Sequence, residues 1–600
     1  MKPGGNRSFA PLLQPLHVLD LACGGGAFLL AAYQVLLDWH LHQYVAIRAQ
    51  DHPAVIQQRQ DGQWQLTQAE RTRILLSCIY GLDIDPQAVT VTKLSLWLKW
   101  SEGNADLSST TFPDLSRNIQ VGNALIGADF CPNHATDRAT AIASAQPFDW
   151  HQAFPEILQA GGFDVVIGNP PYIDSEAMSC HFSDWRSYCT QHYRTATGNW
   201  DIFCVFIEKA IELCKPQGFT SLVVPNKLAS ATYARQARQI LSQENDLQAI
   251  RDYAQVPVFA ASVYPLVYVV QKRSSPVSQS IALVAPMPDC PLNPPTLGDL
   301  GGNQNLCICE KTIVWETMRD LEQVGQKRSL HLSPSDPQAR WMAIDTSQQS
   351  DLLMRLQQFP KLETIAHVTG AATVAEAYLI QDLIQNSQTV AVDDLQVVNS
   401  GTINRYRFLW GQKPLRYLKQ SYPHPVILAK QSQQLPSKRL RQAKTPKIVV
   451  AGMTQQLEAS LDEAGAILAG KSTSVIYFRD FLTRGETAID LRYLLGLINS
   501  RLMNYYFCCA FSGNQLRGGY LRVGPPQLRQ LPICVPELSN DSDRYSYEQI
   551  IKLVSQRLAL ATLGLHTAYS DDSACCRLEA AIDEQVYYLY RLTDAEIEIL

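Results

Sequence analysis

The sequence predicts an α/β protein built on an open, doubly wound sheet, and three segments carry that expectation. The first is His17-Val18-Leu19-Asp20-Leu21-Ala22-Cys23-Gly24-Gly25-Gly26-Ala27-Phe28-Leu29-Leu30. Val18 and Leu19 begin a short strand, three glycines allow a tight turn and close backbone approach, and Ala27 opens a helix. The second is Ile79-Tyr80-Gly81-Leu82-Asp83-Ile84-Asp85-Pro86, a strand that ends in an acid suited to ribose hydroxyls. The third is the buried run Phe163-Asp164-Val165-Val166-Ile167, followed by Gly168-Asn169-Pro170-Pro171-Tyr172. A further strand end lies at Val121-Gly122-Asn123-Ala124-Leu125. Open α/β sheets take ligands at such carboxyl ends.

The loop after Ile167 has a definite chemistry. Asn169 offers an amide oxygen as hydrogen-bond acceptor. Pro170 and Pro171 fix φ and restrict the residue before each, so the Pro170 carbonyl is held as a second acceptor. Tyr172 supplies a π-face. Two acceptors aimed at one exocyclic NH₂ draw its nitrogen out of the ring plane and free its lone pair. Methylation of an aromatic amine needs that.

These residues together resemble the N6-adenine DNA methyltransferases of restriction–modification systems. The narrower likeness is to the type IIG group, in which a gamma-class methyltransferase is fused to a target-recognition domain. The resemblance runs from about residue 15 to the C-terminus. It implies a Rossmann-like catalytic domain that uses S-adenosylmethionine, then a mixed α+β target-recognition domain, then a helical tail. Residue by residue, Asp20, Ala22, Gly24 and Gly26 match the family's cofactor loop. Asp83 matches the ribose-holding acid, Ile84 the apolar residue packed on the cofactor's adenine, and Asn123 stands where many relatives have Asp. Asn169, Pro170, Pro171 and Tyr172 match the catalytic loop. Phe259, with Tyr264 behind it, matches an aromatic that stacks on the far face of the extruded base. Asn rather than Ser at the first loop position favours adenine over cytosine N4. Met1 to Pro15 holds no copy of the family's upstream cofactor-pocket motif, and no nuclease domain precedes the glycine loop. The expectation is an N-terminally truncated or split chain, with a separate restriction endonuclease or missing N-terminal chain as partner.

Six hundred residues exceed one core. The expected division is a catalytic domain over 1–275, a connector over 276–325, a specificity domain over 326–535 and a helical segment over 536–600. Residues 39–78 read as a polar helical insertion. Gly198-Asn199-Trp200-Asp201-Ile202-Phe203 leads into a helix to Lys215, broken at Pro216-Gln217-Gly218. Phe219 to Lys227 then reads as a buried strand and loop, similar to the family's next motif. Leu494 to Phe507 reads as one helix with an apolar and aromatic face.

Net charge is −5, so any nucleic-acid contact must be local. From Leu395 to Leu457 there is no Asp or Glu, yet eleven Lys and Arg residues fall there, with Tyr and Trp among them. Arg405, Arg407, Lys438, Arg439 and Arg441 are the expected contacts to double-stranded DNA, joined by Arg517 and Arg522 in a later basic loop. A solvated basic loop region is the plainer alternative.

Fifteen cysteines without a CxxC suggest reduced structural thiols and no metal site. With no signal core and no apolar run of about 18 residues, the expected place is the cytoplasm and no membrane contact. Three rival readings stand beside the main one. They are a truncated, non-catalytic DNA-binding subunit, a cytosine-N4 methyltransferase, and a protein-glutamine methyltransferase, whose chains are typically compact and lack a large second domain.

Overall fold

The computed structural model describes residues 14–46, 53–59, 61–102, 111–132, 138–253, 256, 264–274, 313–331, 341–344, 347–478, 489–511, 520–562 and 572–600. Its largest element is a ten-stranded sheet. The strands are β1 (Val18–Asp20), β2 (Ile79–Asp83), β3 (Ile119–Val121), β4 (Phe163–Gly168), β5 (Cys214–Pro225), β6 (Asp246–Asp252), β7 (Pro265–Gln271), β8 (Ile313–Met318), β9 (Val324–His331) and β10 (Met342–Ile344). Their spatial order is β10-β9-β8-β6-β7-β5-β4-β1-β2-β3. From β3 to β5 every pairing is parallel. β7 runs antiparallel to both neighbours.

Parallel strands need crossover helices, which bury both faces of the sheet. Accordingly β1 is buried throughout, and β4 sends Phe163 and Val166 into one core and Val165 and Ile167 against another. Helix α1 (Ala27–Ala46) leaves the glycine turn. Helix α2 (Gln68–Cys78) leads into β2 and is capped by Thr67. Helix α3 (Pro86–Ser101) follows β2 with Pro86 in its first turn, and its N-cap is Asp85, whose carboxylate accepts from Gln87 N–H at 2.8 Å.

The structure departs from the sequence expectation at four places. Residues 39–78 are not all helical: Ile56–Gln58 and Trp64–Leu66 form a hairpin, turning at Gly62 with φ +84°. The Asp61-Gly62 pair is a hairpin-turn signal that the helical reading overlooked. Pro216-Gln217-Gly218 does not precede the strand but interrupts it, because β5 already pairs at Cys214 and resumes at Phe219. β8, β9 and β10 belong to the same ten-stranded sheet, so residues 313–325 of the connector expected over 276–325, and the domain start expected at 326, fall inside it; the rest of that connector lies outside the described residues. Finally, Leu494 to Phe507 is two helices, Leu491–Asn499 and Arg501–Ala510. Ser500 breaks the run, with extended backbone and a side chain that accepts from Met503 N–H.

Residues 347–600 form further mixed structure. One four-stranded antiparallel sheet joins Ala366–Gly370, Thr473–Phe478, Lys447–Ala451 and Ala459–Asp462. A second joins Gln385–Asn386, Pro425–Ile427, Leu395–Val398 and Ile467–Ala469. The C-terminal helices Asp541–Thr562 and Asp572–Leu589 share a core with the first sheet. A Cβ on Gly496 would lie 2.7 Å from Ile550, so this packing needs glycine there. The tail is therefore continuous with the specificity region's core rather than an appendage. Among the described residues, no helix is long and apolar enough to cross a membrane.

Candidate active site

The glycine turn is bound to β2 by its backbone. Cys23 N–H donates to the Leu82 carbonyl at 2.9 Å, and Gly24 N–H to Asp83 Oδ2 at 2.8 Å. Gly24 and Gly26 have φ of +51° and +85°, where a side chain is strained. Thr92 of α3 clamps the turn, donating to the Gly24 carbonyl at 2.7 Å. A Cβ on Gly26 would come within 2.9 Å of Thr92. This residue was not anticipated, and its position in the second turn of α3 gave no signal for it.

Asp20 ends β1 and is 1% exposed. Its Oδ1 accepts from Ala22 N–H at 3.0 Å. Burial pushes its carboxyl up to about 7, opposed by the Ala22 hydrogen bond and reinforced by the negative charge of Asp83. Asp83 takes Asp85 N–H on its other oxygen at 2.9 Å, while Asp85 itself caps α3. The two acids thus divide the work: Asp85 is the cap and Asp83 faces the glycine turn. Ile84 is half-buried beside it.

Asn123 is 6% exposed just beyond β3. Its Oδ1 accepts from Leu125 N–H at 3.1 Å, and its Nδ2 is buried without a hydrogen-bond partner among the described residues. A buried donor left unmade is costly, and an adenine ring nitrogen would satisfy it. Two carboxylates, a backbone cradle that side chains would fill, and one orphaned donor fit a nucleoside-bearing cofactor.

The second loop begins at Gly168. Its φ is +155°, and a Cβ there would meet Asp20 Oδ1 at 2.6 Å. The start of the Asn-Pro-Pro-Tyr loop and the end of β1 are therefore in direct register, with Asp20 paired to Ile167. Asn169 Oδ1 is buried and has no hydrogen-bond partner among the described residues. Pro170 is buried and Pro171 exposed. The Tyr172 ring is 36% exposed, its hydroxyl lies 3.5 Å from the Val223 carbonyl of β5, and burial pushes the phenol up to about 12.

The loop's far end is anchored by Asp201, which is 7% exposed. Asp201 accepts from Ser175 N–H at 3.1 Å, from the Tyr233 hydroxyl at 2.6 Å and from Lys227 Nζ at 3.1 Å. Ile202 N–H donates to the Ile173 carbonyl at 3.1 Å. Both Asp201 and Lys227 lie in segments that resemble family motifs, but composition alone gave them no role. Tyr264 stands at the head of β7, where its carbonyl accepts from Asn226 N–H at 2.8 Å. Phe259 lies outside the described residues.

The cations expected to face DNA separate into two groups. Lys438, Arg441 and Arg522 are exposed, and Arg407 is half-buried. Arg405 and Arg439 correct the expectation. Arg439 is 4% exposed, pairs with Glu376 at 3.0 Å and donates to the Gly370 carbonyl at 2.9 Å. Arg405 pairs with Glu579 at 3.1 Å and donates to the Asn499 carbonyl. Lys447, counted in the same basic stretch, is fully buried against Asp462. A desolvated cation must find a carboxylate, and these found theirs in the fold rather than on a ligand. Arg517 lies outside the described residues.

Comparison with known proteins agrees with this arrangement. Residues 77–259 match the Eco57I restriction-modification methylase family, and residues 384–533 match the TaqI-like C-terminal specificity domain. A type II restriction enzyme and methyltransferase of Escherichia coli, RM.Eco57I, is 28% identical over 244 residues, or 40% of this chain and 23% of that protein. A putative enzyme of the same description from Methanocaldococcus jannaschii is 20% identical over 712 aligned residues, covering 97% of this chain and 53% of its own length. The adenine-specific methyltransferase PglX of Streptomyces coelicolor is 25% identical over 213 residues, 34% of this chain and 15% of that protein. The chain thus spans about half, or less, of these relatives. Among solved structures, the type IIL restriction-modification enzyme MmeI in complex with DNA aligns with a TM-score of 0.54 and 12% identity, over 97% of this chain and 71% of that one. At that identity the likeness is one of fold. One segment of the chain thus matches the Eco57I restriction-modification methylase family and a later one the TaqI-like specificity domain, and the relatives it resembles include type II restriction–modification enzymes and methyltransferases.

Proposed function

We propose that this chain methylates N6 of adenine within a short duplex DNA sequence, using S-adenosylmethionine. The observation that carries the reading is Asn169 Oδ1, a buried acceptor with no partner among the described residues, set in a loop stiffened by Pro170 and Pro171. An unmade acceptor of this kind is satisfied by the N–H of an exocyclic amine. Its loop adjoins Asp20 through Gly168, so the amine would meet the cofactor's end of the pocket.

Asp20, Ala22, Gly24, Gly26, Asp83, Ile84 and Asn123 would hold the cofactor, which supplies a methyl group already activated on a positively charged sulfur. The chain's own residues do the positioning. Asn169 and the Pro170 carbonyl accept from N6 and turn its lone pair out of the ring. Tyr172 stacks on the base, a contact worth ~1–3 kcal/mol against the few kcal/mol that extrusion costs. Orientation dominates the rate enhancement. Lys438, Arg441, Arg522 and Arg407 supply phosphate contacts, and Phe259 the second stacking face. We place restriction, where it accompanies methylation, outside this sequence, in a separate endonuclease or a missing N-terminal chain.

Adenine is preferred over cytosine because Asn occupies the first loop position, and a relative named as adenine-specific aligns with part of the chain. The test is expression in a methylation-free bacterial host, with the genome read by single-molecule sequencing and Asn169→Ala as control. N6-methyladenine confined to one motif, and lost in the variant, is the expected result. N4-methylcytosine would overturn the base assignment, and an unmodified genome with folded protein present would overturn the activity.

A further inference from the structure

Lys227 is joined through Asp201 to Ser175, just beyond the Asn169–Tyr172 loop. It follows β5 by two residues, and β5 pairs with the strand that delivers Asn169, Gly168 opposite Leu222. The Tyr172 hydroxyl reaches β5 at Val223. The Lys227 side chain is 45% exposed, while the Asp201 side chain that receives its ammonium is only 10% exposed. Asp201 is also held by Ser175 N–H and the Tyr233 hydroxyl, so it is a fixed post. Asp174, next to Ser175, is committed to Ala177 N–H at 2.9 Å. The short helix that starts at Lys227 is secured from beneath by Arg238, 1% exposed, whose guanidinium donates to the Leu228 and Ala231 carbonyls.

An ammonium carries three donors, and Asp201 takes one of them here. The side chain remains 45% exposed on that rigid anchor, which leaves donors for a ligand. An extruded nucleotide brings its phosphate to the rim of such a pocket, and a phosphate there needs a positioned cation. We propose that Lys227 binds the backbone phosphate of the nucleotide whose base enters the Asn169–Tyr172 loop, with Asp201 as the positioning residue that aims it. Because Asp201 also grips the loop at Ser175, nucleotide capture and loop geometry share one post. This rests on the DNA-methylation reading given above.

The test uses the full chain with Lys227→Met, Lys227→Arg and Asp201→Asn. Affinity for duplex DNA is measured from low to moderate salt, single-turnover methylation on the same DNA, cofactor binding by calorimetry, and extrusion by 2-aminopurine fluorescence at the target base. K227M is expected to flatten the slope of log affinity against log salt by about one and to lose the fluorescence rise, with methylation down about tenfold or more. K227R should retain most of each, and cofactor affinity should stay within about twofold in all. D201N should keep the salt slope, because the cation remains, yet slow methylation. An unchanged slope in K227M overturns the proposal, as does an equal loss in K227R and K227M together with a lowered Tm, which would make Lys227 a purely structural ion-pair partner. The slope is read without turnover. A wild-type chain that binds DNA but methylates nothing would therefore sink the activity while still deciding Lys227, and one that binds no DNA would sink both.

Discussion

The strand-end site and the basic stretch of the specificity domain were both read from residue type, and they behave differently. At the strand ends, Gly168, Pro170 and Pro171 carry backbone constraints that hold wherever the fold places them. Asn169 beside them, and Asn123 at another strand end, keep buried polar atoms that nothing among the described residues satisfies. In the basic stretch, charge alone was the signal, and the fold consumed part of it. Arg439, Arg405 and Lys447 pair with Glu376, Glu579 and Asp462. All three acids lie outside the acid-free window from Leu395 to Leu457. A conformational constraint is local and survives folding. A charge is assigned only after its surroundings are known.

The largest effect that can break this contrast is at Asn169. Asn169→Ala should lower single-turnover methyl transfer on the order of 100-fold or more, by analogy with deleting one preorganised hydrogen-bonding group, and leave cofactor affinity unchanged. A variant retaining a tenth of the rate would remove the loop from the chemistry.

Next is the buried pair in the specificity domain. Lys447→Met strands Asp462, which is 5% exposed, and should cost about 3–5 kcal/mol in urea unfolding of that unit. Lys444→Met, whose side chain is 40% exposed and 3.9 Å from Asp393, should fall within about 0.5 kcal/mol. Equal costs would erase the distinction between consumed and available cations.

A smaller effect separates the two acids of the cofactor end. The folded value of Asp20, about 7, lies above its ordinary 3.8. Its contribution to stability is therefore fully present below pH 3.8 and lost as pH rises through about 7. Binding of a cationic cofactor favours the ionised carboxylate, so affinity should rise over the same window. It should be about tenfold weaker at pH 6 than on the alkaline plateau if only the ionised form binds. Asp20→Asn should flatten the profile measured by calorimetry, and a profile unchanged in that variant would take Asp20 out of the cofactor site.

The smallest effect sharpens the comparison from the other side. Arg441→Ala, at an exposed position, should weaken DNA binding a few-fold, lower the salt slope by about one and leave Tm in place. A large drop in Tm with no change of slope would move Arg441 into the same class as Arg439.

The sequence by itself determined the elements whose cause is local. The glycine turn after β1, the acid-terminated β2 and the Pro-stiffened loop after β4 were all legible because φ limits, periodicity and turn chemistry act over a few residues. Even the hairpin at Asp61-Gly62 and the break at Ser500 carried local signals, which the helical readings there overlooked. Only the tertiary structure decided which charged residues face solvent, that Asp201 joins Ser175, just beyond the Asn-Pro-Pro-Tyr loop, to Lys227, and that Thr92 clamps the glycine turn from 68 residues away. It also decided that β8 to β10 extend the catalytic sheet. The physical reason is the same in each case: burial, pairing and strand addition are set by partners distant in the chain, and no window of sequence contains both members of the pair.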